Sequence, residues 1–367
     1  VTLTTNDTRY EHAVGPGFPP PVRDGARSGA SADEAERIGQ EFSRQFKSCG
    51  PDLKRSLFQL ITTATPFFVL LAVMATATRG RYWLTLLLAV PAAGLLVRLF
   101  IIQHDCGHNS FFRSRAANDF LGRAIGVLTL TPYGEWKSGH AIHHASSGNL
   151  DRRGWGDVGT MTVREYKAAS PLQKLGYRLF RSPFVMVLLG APLNFIVLQR
   201  IPRGRTFTDR ALRHSILSLN VALAVVFGLP MVVFGVGPVL ATYLPVMVMA
   251  SWIGNWLFYV QHQFEDTYWE RDGEWKFHTA ALRGSSYFDL PPVLQWFSGN
   301  IGLHHVHHLC TRIPNYRLQA CVDSAPELSR IAKRITLRDS LTCWRLALWD
   351  EQSRRLVGFR DLKSHSG

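Results

Sequence analysis

The sequence predicts an all-α membrane protein, with four transmembrane helices in two hairpins and a cytoplasmic helical cap that carries a di-metal site. Three observations predict it. Four apolar runs are each long enough to cross a bilayer, the basic residues lie almost entirely outside them, and eight histidines fall in three clusters at helical spacing. The chain has 367 residues, 46% of them hydrophobic, with 22 Phe and 10 Trp, which is ample for one large core.

The elements follow in order. Residues 1–50 are polar, and 14–32 are rich in Gly, Pro, Ser and Ala. This stretch reads as a disordered tail, because it has too little apolar surface to offset the entropy of ordering. No cleavable signal peptide is expected at its start. Within it, residues 33–47 alternate charged and apolar side chains at helical period and read as a short surface helix. Residues 51–320 form the membrane domain, and 321–367 are expected to be a cytoplasmic helical segment.

A bilayer core of about 30 Å takes ~20 apolar residues in a helix. Runs 57–77, 83–102, 215–234 and 237–260 satisfy this. Pro66, Pro91, Pro230 and Pro245 are tolerated there because neighbouring helices re-satisfy the freed backbone groups. The turns between the paired runs are short, so each pair is a hairpin. A fifth run, 184–198, contains Pro192 and Asn194 between Arg181 and Arg200. It reads as interfacial, since a crossing there would put the last histidine cluster across the bilayer from the first two.

Of the 41 Lys and Arg, only Arg79, Arg81 and Arg98 fall in the runs or tight turns. The long segments are therefore cytoplasmic. The expected location is integral and multi-pass, in a bacterial inner (plasma) membrane with the site facing the cytoplasm. The net charge of +14 is thus a matter of topology; it forms no dense run, and no nucleic-acid partner is expected. The five cysteines include no C-x-x-C pair and suggest neither a disulfide scaffold nor a thiolate zinc site.

His104 and His108 are spaced i, i+4, while His140, His143, His144 and His304, His307, His308 repeat i, i+3, i+4. That spacing puts the rings of each cluster on one helix face. Neutral imidazole is the commonest metal ligand. Eight nitrogens exceed what one tetrahedral zinc uses, so two six-coordinate ions with open positions fit better. Imidazole suits Zn, Cu, Fe and Ni alike, so the spacing alone leaves the metal open. His262, just past the fourth run, is a candidate further ligand. His305, about 100° round a helix from His304, reads as a neighbour of the ligands. Asp105, Asp151, Asp157 and Asn300 are candidates to orient ligand rings from behind. Trp136, Trp252 and Trp256 are candidates to line a substrate tunnel, or else to anchor the chain at the interface. A metal carrier is a rival reading, but the runs contain no His, Asp, Glu or Lys to form a permeation path.

These motifs resemble those of the membrane fatty acid desaturases. Gln103-His-Asp-Cys-Gly-His-Asn-Ser-Phe-Phe112 is similar to the first histidine box of bacterial and plant acyl-lipid desaturases of the Δ12 (omega-6) type. His143-His-Ala-Ser-Ser-Gly-Asn-Leu-Asp-Arg152, Gly154-Trp-Gly-Asp157 and Asn300-Ile-Gly-Leu-His-His-Val-His-His-Leu309 are similar to the same group. The resemblance covers roughly residues 57–318. It implies that 51–320 is a desaturase membrane domain and that the eight box histidines hold a non-haem di-iron centre, with His262 at an additional ligand position. It implies O2 as co-substrate and a cis double bond made in an acyl-lipid or acyl-thioester. No His-Pro-Gly-Gly haem motif occurs, so a separate donor (a ferredoxin, rubredoxin or cytochrome b5-like protein) is expected to deliver electrons. A di-iron hydroxylase or monooxygenase of alkyl, carotenoid or sphingolipid substrates shares these boxes and is the alternative.

Overall fold

The computed structural model describes residues 31–154 and 156–363. The part of the expected tail before residue 31 lies outside the described residues. The short helix expected at 33–47 forms as α1 (Ala32–Gln45), capped by Ser31, whose Oγ accepts from the Glu34 N–H at 3.1 Å. It is docked: the Glu36 carboxylate accepts from Thr279 N–H at 3.0 Å and lies 2.8 Å from His278 Nδ1. Residues 31–50 thus contain a docked helix within the stretch whose composition reads as a tail. The apolar stripe of Ala35, Ile38, Phe42 and Phe46 buries against Leu282, Leu309 and their neighbours, a partner that local composition does not reveal.

α2 (Leu53–Ala77) and α3 (Tyr82–Gly107) form the first hairpin. Asp52 caps α2, its Oδ1 accepting from Arg55 N–H at 2.9 Å. α4 (Arg115–Leu128) and α5 (Tyr133–Ser146) then fold back over the end of α3. α6 (Val163–Ala168) and α7 (Pro171–Phe180) lead to an interrupted stretch: a π-helical segment Phe184–Gly190, α8 (Ala191–Ile196), a 3₁₀ turn Leu198–Arg200 and α9 (Arg205–Thr208). The second hairpin comprises α10 (Arg210–Val226), α11 (Gly228–Phe234) and α12 (Val236–His262). The α10–α11 break lies one turn before Pro230, which has no N–H to give to the preceding turn.

Five stretches are long and apolar enough to cross a membrane: Leu53–Ala77, Tyr82–Gly107, Phe184–Thr208, Arg210–Phe234 and Val236–His262. The expected count of four is therefore not what length and composition give. Phe184–Thr208 qualifies as well, although it is broken three ways and bent at Gly204, whose φ is +52°. α3 is the central helix. Leu96, Leu99 and Ile102 on it pack with Phe67 of α2 and Val246 and Val260 of α12. The outward faces stay apolar, with Phe58, Leu87, Val221 and Val232 all more than half exposed, as a lipid-facing surface requires.

After α12 come α13 (Phe277–Arg283), α14 (Pro292–Phe297), α15 (His304–Leu309), α16 (Asn315–Ser324), α17 (Pro326–Ile331) and α18 (Leu337–Cys343). The protein is mostly helical, as expected, with a few short strands among the helices. Two small sheets occur: β1 (Met161–Thr162), β4 (Leu346–Asp350) and β5 (Arg355–Gly358) in one, and β2 (Tyr287–Asp289) paired with β3 (Arg334–Thr336) in the other. The C-terminal segment is thus not purely helical. Its β4–β5 hairpin inserts Trp349 and Leu356 against Leu150 and Trp269, closing the cap over the loop after α5.

Candidate metal centre

Four helix ends converge. α3 terminates in the first cluster, with His104 in its last turn and His108 as the residue that caps it. α5 carries His140, His143 and His144, and α12 ends on His262. α15 is only six residues long and buried throughout. The turn before it needs two left-handed residues, Gly299 (φ +56°) and Asn300 (φ +57°), and a Cβ on Gly299 would meet Ile101 Cγ2 at 2.9 Å.

The nine imidazoles fall into two groups, His104, His108, His140, His144 and His307 in one and His143, His262, His304 and His308 in the other, each with ligand atoms within 4.8 Å of one another. Neither group follows a single sequence cluster. The two are in contact, since the His144 and His308 rings stack with centroids 4.1 Å apart.

Hydrogen-bond bookkeeping tests whether a cation fits. His262 Nδ1 lies 3.0 Å from the Gly284 carbonyl, which can only accept, so the proton sits on Nδ1 and Nε2 presents a bare lone pair. His143 Nδ1 lies 2.8 Å from Asp157 Oδ1, with the same consequence. Yet the two Nε2 atoms are 3.1 Å apart, and His304 Nε2 is 3.0 Å from that of His262. Lone pairs facing each other repel unless a positive ion lies between them. Separations near 3 Å are also those of neighbouring ligands at about 2.1 Å from one ion. In the other group, His144 Nε2 is 3.1 Å from both His140 Nε2 and His307 Nε2. His104 Nε2, His108 Nε2 and His308 Nε2 are buried with no hydrogen-bond partner among the described residues. The donor set therefore fits two metal ions.

Burial, reinforced by neighbouring imidazoles, depresses the pKa of His108, His140, His144, His304, His307 and His308 well below the usual histidine value. These rings are held neutral, the form that binds a metal.

The residues expected to orient the ligands divide. Asp157 reaches His143, and Asp105 Oδ1 lies 3.2 Å from His104 Nδ1. Asp151 does not reach a ring; it accepts from Arg271 Nη1 at 2.6 Å and from Asp272 N–H at the surface, where its 3₁₀ turn leaves it. Asn300 is one step removed, donating to the Asn315 carbonyl at 3.2 Å. His305 lies outside both groups, fully buried and stacked on Tyr287 with centroids 5.7 Å apart. The sequence reading missed Asn315, whose backbone and side-chain N–H groups donate to Asp105 Oδ2 at 2.7 and 2.8 Å. Its position after Pro314 at a helix start was the available signal. It also missed the Gly284 carbonyl, because a backbone acceptor has no sequence signature.

Trp136 does not line the main cavity: its indole stacks on His140 at 4.7 Å and 18°. Trp252 and Trp256 do line it, with Val90, Gly94, Leu294 and Phe297, around about 570 Å³ between α3 and α12. That volume falls within the roughly 300–1,000 Å³ usual for small-molecule sites. Phe258, next to the cavity residue Leu257, packs on His143 and His262 at 5.4 and 5.5 Å.

The chain is similar to known proteins over most of its length. The family model described as fatty acid desaturase matches residues 81–333. A fatty acid desaturase of Bacillus subtilis (strain 168) is 44% identical over 313 residues, covering 85% of this chain and 88% of that protein. The sn-1 oleoyl-lipid 12-desaturase of Synechocystis is 26% identical over 234 residues, covering 63% and 65%. The sn-1 acyl-lipid omega-3 desaturase (ferredoxin) of Nostoc is 28% identical over 226 residues, covering 60% and 61%.

Proposed function

The chain belongs to the fatty acid desaturase family and is an oxidoreductase, and from that premise we propose that it makes a cis double bond, of the Δ12 (omega-6) type, in the acyl chain of a membrane lipid. The observation that carries this reading is the meeting of nine imidazoles in two groups, in a protein with a large apolar cavity between α3 and α12. We assign His104, His108, His140, His144 and His307 to one iron, and His143, His262, His304 and His308 to the other. When bound, the iron pair supplies the reduction of O2 coupled to oxidation of two adjacent C–H bonds. The balance is one O2, two electrons from a donor, two protons and the two hydrogens of the substrate, giving one alkene and two waters.

The protein's own residues do the rest. Asp157, Asp105 and the Gly284 carbonyl fix ring tautomers so that Nε2 lone pairs point inward. A methylene has no polar handle, so its register must come from shape. Trp252, Trp256 and Phe297 provide the walls, and Phe258 packs on His143. Position and exclusion of water are the contributions expected of such a scaffold.

Four crossings with an interfacial Phe184–Thr208 segment suit this site. Gly134 N–H and Glu135 N–H of α5 donate to Ser215 Oγ near the start of α10, at 2.9 and 3.2 Å. This contact between α5, which follows α3, and the start of α10 supports a reading in which the intervening segment makes no net crossing. With the basic segments inside, the centre faces the cytoplasm of a bacterial inner membrane. A separate donor of the ferredoxin class suits a chain whose relatives include ferredoxin-linked desaturases.

The test is expression in a host lacking the product, with double bonds located by mass spectrometry of its lipids. New unsaturation at a fixed position, lost together with bound iron in His143→Ala, is the expected result. New hydroxyl groups in place of double bonds would overturn it.

A further inference from the structure

Arg200 ends the 3₁₀ turn after α8, and the site described above does not use it. One of its nitrogens, Nη2, donates to the carbonyl of Leu130, a residue held at φ +53°. Its Nε and Nη1 are buried and have no acceptor. Asn220 of α10 donates from Nδ2 to the Arg200 carbonyl at 2.8 Å, yet its Oδ1 is buried and unpartnered, as is Gln199 Oε1. Among the described residues no carboxylate pairs with Arg200; Glu135 acts on it only at longer range. Unspent donors on a half-buried cation, with unspent acceptors on its sequence neighbour and on the amide bonded to its backbone, are costly in apolar surroundings unless a ligand supplies the missing partners.

A ligand that meets both needs has an anionic oxygen group with hydroxyls near it.

We propose that Arg200, Asn220 and Gln199 form a headgroup site that takes the phosphate and glycerol of an anionic glycerophospholipid. Basic pockets between membrane helices on the cytoplasmic side are suited to such headgroups.

The experiment titrates the full detergent-solubilised chain with phosphatidylglycerol and with diacylglycerol of the same acyl chains, following tryptophan fluorescence and counting bound lipid by native mass spectrometry. Wild type is expected to prefer phosphatidylglycerol by about tenfold or more, the scale of one charge-assisted contact. Arg200→Gln should erase that preference through loss of the charged lipid alone, and Arg200→Lys should restore part of it. Equal weakening of both lipids would mean that Arg200 only props the Leu130 turn, and weakening of neither would remove it from any site; either overturns the proposal. Displacement of phosphatidylglycerol by millimolar inorganic phosphate would assign the site to the free ion and overturn it as well. Should Arg200→Gln fail to fold, Arg200→Lys decides, with an unchanged preference counting against the site. A wild type that prefers the charged lipid but makes no double bond would defeat the desaturase reading and leave the headgroup site standing.

Discussion

Asp151 and Asp157 look alike in sequence, two carboxylates shortly after the second histidine cluster, yet only Asp157 touches a ring. Spacing along a helix told which histidines share a face; it could not tell which loop carboxylate folds back onto them. We expect Asp157→Ala to lower metal affinity by about 10- to 100-fold with helicity retained, read by chelator competition. Asp151→Ala should leave affinity unchanged, since it loses only the exposed contacts with Arg271 and the Asp272 N–H. Acidity acts on the cluster with a definite sign. The buried rings of His108, His140, His144, His304, His307 and His308 resist protonation when folded, while the unfolded chain takes protons near the ordinary value of 6.5. As pH falls below that value the unfolded state binds protons that the folded state does not, so stability declines with falling pH and is insensitive to these groups above it. Protons also compete with metal for the same nitrogens. Bound metal and thermal midpoint should therefore fall together between roughly pH 6.5 and 5, measured on one preparation.

The helices of the two hairpins were legible because a run of apolar residues with few breaks has one physical solution in a bilayer. The short elements were not. α15 is a single buried stretch of six residues, and its placement depends on the Gly299–Asn300 turn. Gly299→Ala should cost about 1–3 kcal/mol through left-handed strain and contact with Ile101, lowering the midpoint and the metal content while sparing the hairpins. The β4–β5 strands escaped notice because five and four residues are too few for a period to stand out. α1 was read as a surface helix, and what the sequence hid was its partner. Glu36→Ala removes the acceptor for Thr279 and the neighbour of His278, so α1 should become the first site cut in limited proteolysis.

On the scale of the molecule, the convergence of the three clusters was foreseeable from parity: an even number of crossings brings them to one face. Less foreseeable was how the interrupted segment Phe184–Thr208 would behave, because its apolarity matches that of a span and only its broken backbone distinguishes it. Single cysteines placed at Gly235 and at Arg152 should label from opposite sides of sealed vesicles; labelling from the same side would refute the four-crossing arrangement. The partition of ligands has a further consequence. Both groups of imidazoles include members of α15, the last of the contributing helices to be synthesised. A chain halted anywhere before residue 304 has neither ion site complete, however well its first hairpin has inserted. Metallation must then follow translation, and metal content becomes a readout of finished biogenesis that a truncated or stalled product cannot imitate.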